Sequence, residues 1–401
     1  MRVGAILFDP NNNIIASDRT VVSLDNAWAS ISGGKARRVQ SIHDLPSDVQ
    51  WLTNLTYNNF YRAGLQRHPN FRNEGWLRTL FNQLIAELGI DSNSVTPDVT
   101  VSTISSIVQR LVTVATDRYG VETKSKRLNE DFAIAMGAPR STLPDIFYNH
   151  FDAVADHPSV SVIHSTNYSA GLATVTVRRN RLRHAREVLA TPVPCDTGWE
   201  LEKIVARDRN DKWLETLNTP FLVKCTVSNV KPIIAEVLSW GSGSRNVRTW
   251  LTDIEWRIVR QYGDVTVSSA LVCKNPATPL QQLDLLPNGP LDELSFTNGL
   301  IAEQIWTAMT NKQRYKGDSS RYTAAAAWLR SADRMVMFDY AQKLQARGLN
   351  VMSYGVGNVV LRYPENGLRR TLDIATDIGL MPPASKLAEA ATLERMQKVN
   401  R

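Results

Sequence analysis

Residues 320–383 read SRYTAAAAWLRSADRMVMFDYAQKLQARGLNVMSYGVGNVVLRYPENGLRRTLDIATDIGLMPP, and their pattern predicts a helix, a hairpin and a second helix in that order. The apolar residues of 320–347 recur at helical spacing, and Gly348 follows as a residue suited to a helix C-terminus. Apolar residues then flank a glycine-containing turn, which is typical of a β-hairpin. The pattern predicts strands at 351–354 and 359–363 and a helix at 366–378, which Gly379 ends.

Working outward, the rest of the chain divides by the period of its apolar residues. The first 34 residues predict a β-hairpin from strands at 3–8 and 14–16, and residues 43–155 show helical spacing, clearest at 76–88 and 104–115. Residues 158–279 are rich in β-branched runs between Pro, Gly and Asn, at 160–163, 173–177, 221–227, 233–238 and 265–273. We therefore predict a mixed α/β (α+β) fold with three domains: an N-terminal β-hairpin plus helical domain (1–155), a strand-rich middle domain (156–280) and a C-terminal α/β unit (281–401).

The net charge and the lengths of the apolar runs limit the kinds of partner that the chain can have. Lys and Arg outnumber Asp and Glu by 46 to 39, a net charge of +7, which suits a polyanionic partner but also an ordinary basic surface. No run approaches the roughly 20 apolar residues of a membrane span, so no membrane partner is predicted. The localisation that we predict is cytoplasmic, which for a viral protein means host cytoplasm or virion.

The three cysteines, Cys195, Cys225 and Cys273, are far apart in the sequence and form no CxxC pair. This pattern argues against a disulfide scaffold and against a cysteine zinc site, and it suits a reducing compartment. The six histidines form neither HxH nor HExxH, so we predict no metal and no cofactor.

The strongest local signal is a run of five arginines within nine residues that no acid interrupts. Arginine suits phosphate because its planar fork donates two hydrogen bonds at once. A solvated helix face or a contact with another protein subunit would explain the same run. The predicted phosphate ligands are Arg178, Arg179, Arg181, Arg183 and Arg186.

A second basic set has tyrosines among its members. Basic residues with aromatic neighbours can hold backbone phosphates and stack bases. The candidate residues of this set are Lys312, Arg314, Tyr315, Lys316 and Arg321.

No catalytic constellation stands out. Asp9 ends the first strand, but Asp9-Pro10-Asn11 also makes an excellent turn, which we prefer. The order helix, hairpin, helix in residues 319–383 resembles the back of a polymerase palm, as in viral RNA polymerases and family A DNA polymerases. That resemblance implies acidic residues in the hairpin turn that hold catalytic magnesium. Residues 353–358 contain no carboxylate, so it implies a non-catalytic palm, and a generic βα unit remains the alternative.

These observations favour a non-enzymatic protein that binds the phosphate backbone of RNA or DNA, as a component of a viral or phage particle or replication apparatus. One alternative is a structural or assembly protein that binds only other proteins. The other is a degenerate polymerase-palm relative or a metal-dependent nuclease that uses Asp9.

Overall fold

The computed structural model confirms the mixed α+β class, with ten α-helices, three four-stranded sheets and one two-stranded ribbon among the residues it describes. No helix in the described part of the chain is long and apolar enough to cross a membrane. The described residues are 2–8, 27–53, 55, 57–62, 64–71, 96–122, 145–155, 160–161, 172–195, 197–203, 212–229, 250–280, 295–314, 320–355 and 357–399.

The chain forms two compact units. The first contains residues 1–137, 289–304 and 383–401, and the second contains residues 138–288 and 305–382. The division at 155 and 280 that the sequence suggests stays a prediction.

The first unit is built on a sheet of order β3-β2-β1-β4, in which β2 runs antiparallel and β4 parallel to β1. The apolar strand predicted at 3–8 is β1, but its hairpin partner at 14–16 lies outside the described residues. Gly4 of β1 lies directly under Trp51, because a Cβ there would fall 2.5 Å from the indole ring. The strands are β1 (Arg2–Phe8), β2 (Ala27–Ile31), β3 (Arg37–Val39) and β4 (Val49–Thr53).

Helix α2 (Pro97–Tyr119) covers this sheet, against β1 and β2. The helical spacing predicted at 104–115 lies inside it, whereas 76–88 falls outside the described residues. Gln109 joins the helix to the sheet, since its Oε1 accepts from the Val3 amide (2.7 Å) and from Ser32 Oγ (2.8 Å). The described helices of this part of the chain are α1 (Tyr57–Arg62) and α2 (Pro97–Tyr119), and α10 (Ala384–Val399) ends the chain.

Two antiparallel sheets form the framework of the second unit, of order β7-β10-β8-β9 and β5-β13-β14-β6. The runs predicted at 173–177, 221–227 and 265–273 are strands here, and 233–238 lies outside the described residues. The first sheet contains β7 (Trp199–Lys203), β8 (Phe221–Ser228), β9 (Trp250–Thr252) and β10 (Asp264–Cys273). The second contains β5 (Val160–Ser161), β6 (Leu172–Arg178), β13 (Asn350–Gly355) and β14 (Asn358–Pro364).

The helices and the short ribbon complete the two units. The helices are α3 (Asp145–Ala155), α4 (Arg181–Leu189), α5 (Lys212–Thr216), α6 (Asp253–Val259), α7 (Ser295–Thr310), α8 (Ala324–Ala346) and α9 (Leu368–Asp377). The ribbon pairs β11 (Gln313–Arg314) with β12 (Ser320–Arg321).

Helix α8 is the central helix of the second unit and packs on α3, α4, α6 and β13. It begins at Ala324 rather than at residue 320, because the Thr323 hydroxyl accepts from the Ala326 amide (3.0 Å) and fixes the first turn there. Its C-terminus is followed by Gly348 at φ 78°, as the sequence predicts. Helix α8, the hairpin of β13 and β14, and α9 therefore follow in the predicted order.

Candidate nucleic-acid interface

Helix α4 carries most of the arginine run. Its first turn is capped by Asn180, whose Oδ1 accepts from the Arg183 amide (3.0 Å). The apolar residues fall on one side because of their helical spacing, which leaves the charged side chains on the rest of the circumference. The buried side consists of Leu182, Ala185, Val188 and Leu189.

The structure places the five arginines in three different environments. Arg183 is exposed, with 63% of its side chain accessible, and its Nε donates to Glu187 Oε1 at 2.7 Å. Arg178, Arg181 and Arg186 are half-buried and have further contacts within the fold. Arg179 is buried, so we leave it out of the surface that a phosphate could reach. The term α4 arginine surface below means Arg178, Arg181, Arg183 and Arg186.

The turn between β13 and β14 lies beside the start of this run. Arg178 pairs with Asn358 across β6 and β14, and the Arg179 amide donates to the Gly357 carbonyl at 3.0 Å. The Arg178 amide also donates to the Met381 carbonyl at 3.0 Å. The backbone that carries the arginines is therefore fixed on two sides before α4 begins.

Arg179 points into the protein beneath that turn. It forms an ion pair with Glu187, and its guanidinium carbon lies 5.6 Å from the centre of the Tyr340 ring. Burial lowers the pKa of Arg179, and the nearby Tyr340 and Asp333 offset part of that shift.

His184 of α4 packs against the same turn. Its Nε2 donates to Asp333 Oδ1 of α8 at 2.7 Å, and the Asp333 side chain is 1% accessible. A Cβ on Gly357 would lie 2.8 Å from His184 Cε1, and Gly357 has φ 73°. Only glycine therefore meets both the conformation and the space at this position.

The second basic set is only partly described. Lys312 is exposed, and its Nζ lies over the Tyr322 ring, 5.0 Å from the ring centre. Arg321 Nη1 donates to Asp152 Oδ2 at 3.0 Å, so a protein carboxylate already neutralises it. Arg314 lies in β11, of which the structure describes the backbone, whereas Tyr315 and Lys316 lie outside the described residues.

The described tyrosine next to this set is not a base-stacking platform. Tyr322 is buried, with 7% of its surface accessible. The ammonium of Lys312 and the guanidinium of Arg330 both lie over its ring, and the guanidinium carbon is 5.1 Å from the ring centre. The Asp152 carboxylate also accepts from the Tyr322 amide at 3.1 Å. Stacking by this set would thus depend on Tyr315.

Among the residues that the structure describes, no carboxylate lies in the turn between β13 and β14. Gly355, Gly357 and Asn358 are the described residues of the hairpin turn, and an arginine, Arg178, lies across from Asn358 on β6. Across the described ranges, no three His, Cys, Asp or Glu side chains are grouped to hold a metal ion. Asp9 lies outside those ranges.

Sequence reasoning missed the acidic partners that organise this region. Asp333 and Glu187 pair with His184 and Arg179. The sequence does contain a signal for Asp333, because it is the single carboxylate in the largely apolar run AAAAWLRSADRMVMF. The structure shows that Asp333 is buried. A buried carboxylate needs a partner, but the pattern does not say that the partner is 149 residues away.

Comparisons with known proteins give a coarse likeness of fold. No protein-family model matches the chain, and none of the curated proteins matches it. Among solved structures, phi29 DNA polymerase with primer-template DNA (post-translocation binary complex) has a TM-score of 0.49 and 10% identity, over 90% of this chain and 80% of that one. The ternary complex of that enzyme, with primer-template DNA and incoming nucleotides, has a TM-score of 0.43 and 10% identity over 70% of this chain.

A third similar structure is the family B DNA polymerase of the hyperthermophilic archaeon Pyrobaculum calidifontis, with a TM-score of 0.36 and 10% identity over 94% of this chain. The chain spans 59% of the phi29 enzyme in the ternary complex and 55% of the archaeal enzyme. Such values describe a distant similarity of fold, and nothing about activity follows from them.

Proposed function

We propose that this chain is a non-enzymatic protein that binds the phosphate backbone of nucleic acid through the α4 arginine surface. The observation that carries the proposal is the placement of Arg178, Arg181, Arg183 and Arg186 at and beside one capped helix whose opposite side is buried. Contacts of this kind position a nucleic acid without reading its sequence.

The local ion pair does not prevent phosphate binding at Arg183. Arg183 and Glu187 are both exposed, at 63% and 40% of their side chains, and exposed pairs of this type contribute at most about 1 kcal/mol. A phosphate can therefore replace the carboxylate at little cost. Lys312 adds an exposed cation just after α7. Helix α7 contacts α4, since the ring centres of Trp306 and His184 are 5.4 Å apart.

The test is binding to labelled single- and double-stranded RNA and DNA across a salt series, measured by fluorescence anisotropy. Changing Arg181, Arg183 and Arg186 to Ala should weaken binding by about tenfold or more and lower the slope of log K against log salt by about 2 to 3, because each phosphate contact contributes about 0.7 to 0.9 to that slope. The matched control changes Lys343, Arg369 and Arg370 to Ala. It removes the same charge from exposed positions of the same unit.

Each outcome decides something. A loss confined to the α4 variant supports the proposal. Equal losses in both variants would mean that net charge alone attracts the nucleic acid. If the unaltered protein binds none of the four probes at low salt, the function is wrong, and the arginines become a candidate protein interface.

A second candidate function is that of a catalytically inactive polymerase-palm relative. The order of α8, the β13–β14 hairpin and α9 favours it, together with a turn whose described residues carry no carboxylate. Primer extension with Mg2+ or Mn2+ and nucleotides should then give no product. Extension that is lost in Asp9→Ala would contradict both candidates and favour metal-dependent catalysis. A role in a virus or phage stays a prediction.

A further inference from the structure

Two cysteines that are 78 residues apart in the sequence lie side by side, with 3.9 Å between Cys195 Sγ and Cys273 Sγ. Both are free thiols. Cys273 is buried at the end of β10, whereas Cys195 is exposed in the segment between α4 and β7. Sequence spacing had argued against a disulfide scaffold, and it could not reveal this proximity.

The backbone holds the two thiols together. The Lys274 amide donates to the Gly198 carbonyl at 2.8 Å. Val193 and Thr278 exchange two hydrogen bonds, at 3.0 and 3.1 Å. The contact is thus built into the fold on both sides of the pair. A bond of about 2 Å needs the sulfurs to approach by roughly 2 Å.

Cys195 has the features of an attacking thiol. It is exposed, and Asn275 Nδ2 donates to its Sγ at 3.2 Å. Partial burial opposes the charged form, but hydrogen bonding with Thr197 and Asn275 outweighs it and holds the pKa of the Cys195 thiol below its ordinary value. A lower pKa enlarges the fraction of thiolate, which is the nucleophile.

We propose that Cys195 and Cys273 are a peroxide-responsive modification site that forms an intramolecular disulfide. The Cys195 thiolate attacks one oxygen of hydrogen peroxide, the O–O bond breaks, and Cys195 becomes a sulfenic acid while the other oxygen leaves as water after protonation. The Cys273 sulfur then attacks the Cys195 sulfur, the S–O bond breaks, and a second water leaves. Two thiols are oxidised by two electrons and one peroxide is reduced.

The test treats the reduced full-length protein with hydrogen peroxide, blocks the remaining thiols with an alkylating agent, and maps the peptides by mass spectrometry. We expect one linked pair, Cys195 with Cys273, and a fall in free thiols from three to one under denaturing conditions. Dithiothreitol should restore all three. Cys225→Ala is the matched control and should still form the bond.

The Cys273→Ala variant separates the two steps. Without the second thiol, Cys195 should stop at the sulfenic acid, which dimedone traps as an adduct absent from the untreated protein. A link to Cys225, a link between two chains, or conversion of Cys195 to sulfinic acid without a link would overturn the proposal. The peptide map of the unaltered protein alone decides this, even if the variant fails to fold.

Discussion

Two arginines of the second unit, Arg334 and Arg179, are buried to nearly the same extent, at 1% and 3% accessible, but their surroundings differ. Arg334 of α8 donates through Nε and Nη2 to Glu255 Oε1 (3.0 and 2.8 Å), and Nη2 also donates to the Val154 carbonyl at 2.9 Å. Glu255 is itself fully buried. Arg179 pairs instead with Glu187, whose side chain is 40% accessible to solvent.

This difference suggests that Arg334 is needed for the stability of the fold, whereas Arg179 can be replaced at a lower cost. Removing one member of a fully buried, hydrogen-bonded pair leaves the other charged and without solvent, which is costly. Removing Arg179 leaves a carboxylate that water can reach. Equal burial therefore does not imply an equal role, and the two sites should respond differently to the same substitution.

The largest effect is expected from Arg334→Met. It should lower the free energy of unfolding by about 3 to 5 kcal/mol, because the buried carboxylate of Glu255 loses the guanidinium that neutralises it. Urea denaturation followed by tryptophan fluorescence measures this. The double variant Arg334→Met/Glu255→Leu should recover much of the loss. A double variant as unstable as the single one would show that lost packing, rather than the unpaired charge, is the cause.

The next largest effect on stability is expected from a substitution of Asp253, which lies in the first turn of α6 together with Glu255. Burial raises the pKa of Asp253 to about 6, despite a hydrogen bond from Trp328 Nε1 at 2.7 Å. Since the folded state holds the proton more tightly than the unfolded one, stability should fall as the pH rises from about 4 to 6. Asp253→Asn should remove this dependence and raise stability at pH 8 by about 2 to 3 kcal/mol.

A urea series from pH 4 to 8 measures the effect of Asp253→Asn. The exposed Asp373→Asn is the control and should follow the unaltered protein at every pH. Parallel stability curves for Asp253→Asn and the unaltered protein would refute the expectation.

Gly357→Ala tests the packing of the turn beside Arg179. It should cost more than about 1 kcal/mol, because alanine resists the positive φ and its Cβ meets the His184 ring. Asp333 fixes that ring, so the ring cannot simply move aside. Adding His184→Ala should recover the steric part of the loss in the same denaturation assay. No recovery would assign the whole cost to the backbone.

Arg179→Met should change stability by less than about 1 kcal/mol, since its ion-pair partner Glu187 stays accessible to water and the buried Asp333 keeps its hydrogen bond with His184. Arg334→Met, the same substitution at the other buried arginine, is the matched control in the same assay. Similar losses at the two positions would mean that Arg179 and Arg334 have the same structural role.

The smallest stability effect is expected from Arg183→Ala, below about 0.5 kcal/mol, because its pair with Glu187 is exposed. Its effect should appear instead in nucleic-acid binding, as a salt slope lower by about 1. A large loss of stability would place Arg183 among the structural arginines.

Local patterns predicted much of the fold, whereas they could not predict the pairings within the candidate site. The strands at 221–227 and 265–273 and the hairpin follow from alternation and turn residues, which act over a few neighbours. The burial of Arg179 depends on Glu187 and on Tyr340, which belongs to a helix far away in the sequence. Likewise the Cys195–Cys273 contact joins positions that no short window contains. The arginine run was visible in the sequence, but which of its members reach solvent was decided by the packing of α4.

The start of α8 has a consequence for how this chain can vary in evolution. Ala324, Ala325, Ala326 and Ala327 are all buried, at 0 to 3% accessible, and Trp328 follows at 1%. Four successive positions on all sides of one helical turn are thus covered by protein, and we expect larger side chains there to be costly. Drift at these positions should be confined to Ala, Gly and Ser, even where the surrounding surface changes freely. A diverged homologue would then be easier to recognise by this small-residue block and its tryptophan than by its overall identity.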